Sequence, residues 1–299
     1  MPTLRQLRYL VALDETRHFG RAAQSIPVTQ PTLSQQLKEM EARLGVKLVE
    51  RGRPVSLTPI GREIASRARR ILLDVTEIRQ LAEAGTSGMA GTIRFGVTPT
   101  LGPYLIPHAV VRLHREHPSL RLYIREGIPD DQINELMNGT LDMLLTPIPQ
   151  PISGLEKTAL FQEGLNLFGA PDHPLHQSTH LSAADFSGQP VLSLDPRHHY
   201  HRQTEAICAE LGARLLRDYE GTSLDSLRQM AGSGLGLAVL PQLYVRSETG
   251  GEDMVKPFSI DGWQANRTIS AVWRKGAAFS DAYAAIAAVI AAEARELLG

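Results

Sequence analysis

The sequence predicts an all-α head, one long helix and an α/β body of two lobes. Three observations carry this: short amphipathic helices at the N-terminus, a helical seam from Ile60 to Ala82, and alternating strands and helices from Thr92 onward. A chain of 299 residues exceeds one core of ordinary size, so two or three domains are expected.

In the head, Thr3 reads as the cap of a first helix over about 4–17, with Leu4, Leu7, Leu10 and Val11 inward and Arg5 and Arg8 outward. Residues 18–37 read as two short helices around a tight turn bracketed by Ile26 and Val28. Ala22 and Ala23 allow close packing, Thr29 caps the second helix, and Pro31 sits in its first turn, where a missing N–H costs little. Leu33, Leu37 and Met40 share one face, which leaves Gln30, Thr32, Ser34, Gln35 and Lys38 pointing out. Such side chains bond base edges and phosphates, so the pair reads as a helix-turn-helix presented to double-stranded DNA. Residues 47–58 read as two short strands about a turn at Gly52. They form a wing with Arg51 and Arg53 at its tip, aimed at the phosphate backbone or minor groove.

The long helix carries Ile60, Ile64, Ala68, Ile71, Val75, Ile78 and Ala82 at successive spacings of four, four, three, four, three and four. That narrow stripe needs a partner, and a second copy of the helix supplies one. Small residues at 85–91 break the periodicity and read as a hinge. Beyond it, strands are expected near 93–97, 120–125, 142–145, 165–169, 191–194, 215–219, 237–240 and 269–273. Helices are expected near 103–116, 131–138, 202–211, 223–231 and 281–298.

Charge separates the parts. Residues 1–85 hold 14 Lys and Arg against 9 Asp and Glu, whereas the remainder holds 17 against 23. A basic head on an acidic body suits a phosphate-binding module joined to a domain with another task. No run approaches the roughly 18 apolar residues of a membrane helix, and no signal peptide is legible, so a cytoplasmic protein without membrane contact is expected. One cysteine, Cys208, leaves no intrachain disulfide to form and agrees with a reducing compartment.

The N-terminal stretch resembles the LysR-type transcriptional regulators, whose motif runs Phe-x-x-Ala-Ala, six residues, then Gln-Pro-x-Leu-Ser. Here Phe19, Ala22, Ala23, Gln30, Pro31, Leu33 and Ser34 fill it. Residues 4–10, 41–48, Arg51 and 57–61 fit the family's first helix, third-helix end, wing and linker start. The resemblance implies a winged helix-turn-helix at 1–58, a linker and dimerisation helix with hinge at 59–91, and a periplasmic-binding-protein-like effector domain at 92–299. Within the last, one lobe spans about 92–162 and 266–299 and the other about 163–265. It also implies a homodimer or homotetramer that bends DNA, a small-molecule effector between the lobes, and RNA polymerase as a partner.

In such lobes ligands sit beyond the strands' carboxyl ends and at helix N-termini. Thr98, Thr100 and Thr146 on one lobe and His198, His199, His201 and Arg202 on the other meet that description, with Arg267 and Arg202 either placed to clamp a carboxylate or held in ion pairs. The bland alternative makes the first two threonines helix caps. The three imidazoles are metal-ligand types, but their spacing is poor for a shared ion, so neither metal nor cofactor is expected. Residues 98–107 and 221–241 resemble the OxyR-like, peroxide-sensing branch, which uses a reactive and a resolving cysteine nine residues apart. That resemblance sets Cys208 at the resolving place and His199 at the reactive one. Imidazole forms no sulfenic acid, so control by a small effector is expected in place of a disulfide. A redox response through Cys208 or the His198–His201 loop is the alternative, although Cys208 reads as a buried, inert thiol. No nucleophile–base turn, phosphate-cradling loop or metal signature points to an enzyme acting in the cleft.

Overall fold

Capping residues set the boundaries of the head. The computed structural model describes residues 1–299 except 53, 85–90, 148–149, 222 and 249–253, and it divides into units at 1–86 and 87–299. Arg53, and the expected hinge apart from Gly91, therefore lie outside the described residues.

Helix α1 (Leu4–Thr16) begins at Thr3, whose hydroxyl accepts from the Gln6 amide while the Gln6 side chain accepts from the Thr3 amide. In α2 (Phe19–Ser25) the cap is His18, whose Nδ1 accepts from Gly20 and Arg21 at 3.1 and 3.3 Å. Helix α3 (Gln30–Leu44) starts at Thr29 with Pro31 in its first turn and ends at Gly45, which takes the left-handed φ of 70°. Strands β1 (Val49–Glu50) and β2 (Ser56–Leu57) pair antiparallel, and α4 runs from Pro59 to Ala84. Leu7, Leu10 and Leu13 meet Leu33, Leu37 and Met40 in one core. Gly61 lies where a Cβ would stand 2.2 Å from the Leu48 carbonyl oxygen, so α4 crosses the β1 entry at a distance only glycine permits.

The seam of α4 divides. Ala65 and Ala68 are buried in the head's own core and Ile64 packs against it, while Arg69 bonds Asp14 at 2.6 Å. Ile60, Ile71 and Ile78 remain exposed. Part of the stripe expected to seek another copy is thus used within the chain, because α1 offers it an apolar face.

The second unit contains β3 (Gly91–Val97), α5 (Gly102–Glu116), β4 (Leu120–Glu126), α6 (Pro129–Met137), β5 (Met143–Thr146) and β6 (Leu155–Gly169). There follow β7 (Pro190–Leu194), α7 (His199–Leu211), β8 (Arg214–Gly221), α8 (Leu224–Gly232), β9 (Leu237–Pro241) and α9 (Gln242–Glu248). The chain closes with β10 (Lys256–Pro257), β11 (Ala265–Arg274) and α10 (Ser280–Leu298).

The sheet order is β4-β3-β5-β11-β6-β9-β7-β8, with β10 beside β6. Parallel β4, β3 and β5 make one lobe, and parallel β9, β7 and β8 the other. Between them β6 runs antiparallel to the whole of β11, from Ala265 opposite Leu165 to Arg274 opposite Leu155, with a bulge at Ile269/Ser270. Strand β6 starts at Leu155, well before the expected 165, because Glu156, Lys157 and Thr158 hide its first half from an apolar-run reading. The seven-residue α9, following Pro241, was not foreseen; it is too short to show a helical period.

Candidate functional site

On α3, Leu33, Leu37 and Met40 are fully buried, and that fixes which face turns outward. Gln30, Pro31, Thr32, Gln35 and Lys38 are exposed and Ser34 is half-buried, so all six lie on or beside one accessible surface. Several are held by neighbours. The Thr32 and Thr29 hydroxyls are 2.7 Å apart, and Gln35 Nε2 donates to Glu39 Oε1 at 3.2 Å. Arg5 is exposed, with its guanidinium engaged by the Tyr9 hydroxyl and ring. Arg51 departs from the expected wing tip: its Nη1 donates to Ser34 Oγ at 3.1 Å, and the guanidinium lies 5.4 Å from the centre of the Phe19 ring. Cation–π attraction and that hydrogen bond draw it against the helix-turn-helix.

In the second unit Thr98 and Thr146 stand at the carboxyl ends of β3 and β5. Both are buried, and neither hydroxyl has a protein partner. Thr146 lies opposite Ser270 of β11, whose hydroxyl is likewise buried and unpartnered. Buried hydroxyls normally find partners, so three together mark a place where a polar guest would be satisfied. Thr98 and Thr100 are not helix caps: α5 begins at Gly102, and its cap position, Leu101, supplies no side-chain hydrogen bond.

Thr100 and Arg267 belong to a different arrangement from the one expected. Arg267 Nη1 and Nη2 donate to Thr100 Oγ1 and O at 2.8 and 2.9 Å, and its Nε donates to Glu163 Oε2 at 2.7 Å. Glu163 Oε1 accepts the Leu243 amide at 2.8 Å. Both charged side chains are 0% exposed, so Arg267 is consumed by an internal ion pair and is no clamp for a ligand carboxylate.

The histidines point to separate partners. His199 is buried, with Nε2 3.0 Å from Asp130 Oδ1 of α6; His201 Nδ1 meets the Leu194 carbonyl at 2.9 Å. His198 is half-buried, and desolvation draws its pKa below the usual imidazole value. Arg202 Nη2 lies 3.5 Å from the same Asp130 oxygen. Among the described residues no three metal-ligand side chains converge. Asp130 and Gln203, which line a cavity with His199 and Arg202, escaped the sequence reading. An acidic residue in a helix's first turn reads as a dipole partner, and nothing local announces a contact 69 residues away. Cys208 is buried in α7, and burial, followed by the Glu205 charge, pushes its thiol up to about 11.

With this geometry in view, residues 4–62 match the model of the bacterial regulatory helix-turn-helix protein, lysR family. Residues 86–295 match the LysR substrate binding domain. The chain is 35% identical over 290 residues to the DNA-binding transcriptional dual regulator OxyR of Escherichia coli, covering 97% of this chain and 95% of that protein. A full-length OxyR variant from Pseudomonas aeruginosa is similar in structure, with a TM-score of 0.75 at 32% identity and 97% and 98% of the two chains covered. An H2O2-bound OxyR mutant from Corynebacterium glutamicum gives a TM-score of 0.66 at 27% identity, over 100% and 96% of the chains. No helix among the described residues is long and apolar enough to cross a membrane.

Proposed function

The chain belongs to the LysR family of DNA-binding transcriptional regulators, and from that premise we propose that it reads specific duplex sites as a homodimer or homotetramer under the control of a small effector held between its lobes. The observation that carries this is the exposed face of α3 opposite a fully buried one. Gln30, Thr32 and Gln35 are the base readers, Lys38, Arg5 and Arg51 the phosphate contacts, and Pro31 and Ser34 position the helix start. Arg53 is proposed from the sequence alone as a further phosphate contact. Exposed Ile71 and Ile78 favour pairing of α4 with a second copy. RNA polymerase is the proposed protein partner, and the cytoplasm the site of action.

Gln35→Ala should weaken binding to the operator by about tenfold, the value of one lost bidentate base contact, while binding to random DNA stays level. Gel-shift titrations of both DNAs at one fixed salt concentration measure this. Equal losses on the two would count against base reading.

For the effector, Thr98 and Thr146 are the proposed polar contacts on one lobe and His198, His199, His201 and Arg202 those on the other. Thr100 shapes the site through its hold on Arg267. One cysteine in 299 residues leaves no intrachain disulfide, so control does not pass through one. The resemblance to the OxyR-like branch sets His199 at the place of that branch's reactive cysteine, and imidazole forms no sulfenic acid.

A second reading is favoured by the relatives named hydrogen peroxide-inducible genes activator: a redox response through Cys208 or the His198–His201 loop. The thiol speaks against its own half of that reading. With a pKa of about 11, the thiolate fraction at pH 8 is on the order of one in a thousand. Iodoacetamide should therefore alkylate native Cys208 at least about 100-fold more slowly than the urea-unfolded chain. A peroxide titration of the DNA footprint, run with wild type and Cys208→Ser, separates the readings. A footprint that shifts only in wild type establishes thiol sensing.

A further inference from the structure

Between α6 and α7 lies a cavity of about 530 Å³. Ile133, Pro147, Pro151, Ile152 and Ala206 give it an apolar wall, and Asp130, His199 and Arg202 gather at its polar end. There a single carboxylate oxygen, Asp130 Oδ1, serves two cation-forming groups, His199 Nε2 at 3.0 Å and Arg202 Nη2 at 3.5 Å. Arg202 is 56% exposed and makes the longer contact, so most of its five N–H donors remain for another acceptor. Other arginines of the same unit are better matched. Arg197 binds both oxygens of Asp195 at 2.8–3.3 Å, Arg125 pairs with Glu135, and Arg267 is sealed against Glu163. Donor capacity at this end of the cavity exceeds the one carboxylate the chain supplies. A cationic guest would meet Arg202 and compete with it for Asp130, whereas an anionic guest would find both donors on one face of α7.

We propose that the cavity binds a small monocarboxylate with an apolar body, whose carboxylate replaces Asp130 on Arg202 and His199. The inference rests on the reading of the inter-lobe space as the effector site and names the effector's chemical class. The volume lies within the ordinary range of small-ligand pockets, and the apolar wall excludes a second ionised group on the ligand. Asp130 acts as an internal competitor. It links α6 to α7 when the site is empty, and the ligand exchanges that direct link for one made through itself.

The test is calorimetric titration of the full chain with benzoate and hexanoate, against benzamide and hexanamide as neutral isosteres, at fixed pH and salt. The acids should bind at least about tenfold more tightly than the amides, the effect of charge-assisted bonding to arginine. Arg202→Leu should erase that difference, with Arg202→Lys retaining part of it. Asp130→Asn should tighten acid binding several-fold, because the competing charge is gone. Amides equal to acids, no binding by either acid, or weaker acid binding in Asp130→Asn would each overturn the proposal. The same samples are run against the selected operator and random DNA. If DNA preference persists while the acids fail, only the ligand class falls; if wild type shows no preference, the regulator reading falls instead.

Discussion

Glu163→Ala is expected to cost the second unit about 3–5 kcal/mol, because it strands the Arg267 guanidinium in the interior without a counter-charge. The Leu243 amide loses its acceptor in the same step. For a unit of this size the melting temperature should fall by on the order of 10 °C, read by calorimetry. Glu163→Leu combined with Arg267→Met should recover a large part of the loss, since a buried pair exchanged for apolar groups of similar volume is often close to neutral. Recovery will be incomplete, for Thr100 and Leu243 still lose partners. If the single variant melts within 1–2 °C of wild type, on the scale of about 2–4 °C per kcal/mol, the pair is not the anchor described.

Gly61→Ala should destabilise the head although helix propensity alone favours alanine by about 1 kcal/mol. The new Cβ would stand 2.2 Å from the Leu48 oxygen and 3.1 Å from Thr58 Oγ1. Those atoms cannot retreat cheaply. Leu48 O accepts the Thr58 amide at 3.0 Å, and the Thr58 hydroxyl donates to Lys47 O at 2.8 Å while accepting the Gly61 amide. Overpacking against backbone of this kind costs about 1–3 kcal/mol beyond the propensity gain. Urea unfolding of the head should register it as a lower midpoint, with operator affinity falling in parallel. Ser66→Ala, on the exposed side of α4, should stay within about 0.5 kcal/mol of wild type. A Gly61→Ala head as stable as wild type would mean that α4 and β1 separate freely.

What was legible in the sequence was local. Thr3 and Thr29 announce their helices through hydroxyls that bond amides three residues on, and Leu33, Leu37 and Met40 through a period that needs no partner to be seen. The strand–helix alternation likewise follows from the chain alone. Pairings across the fold were not legible. An ion pair was one option for Arg267, but its partner could not be named, because Glu163 lies 104 residues away, in a strand whose first half is polar. Asp130 looked like a helix-start acid because its partners sit on another lobe. His18 fell at the edge of the stretch read as two short helices, yet its capping nitrogen depends on a side-chain turn that residue type does not announce. Among the polar candidates, side chains directed at solvent kept their assignment to the outer face, and those directed inward found partners that sequence spacing does not encode.

The path of β11 has a consequence for how the chain is made. The strand pairs with both β5 and β6, and α10 then packs against α5, so the first lobe is finished by residues 265–298, made long after β5. The head can complete its core while the ribosome is still translating the body. The lobe that begins at Gly91 must wait, with one side of β5 unpaired, until Ala265–Arg274 has been made. During that interval chaperone capture, or erroneous pairing with another nascent chain, is most to be expected.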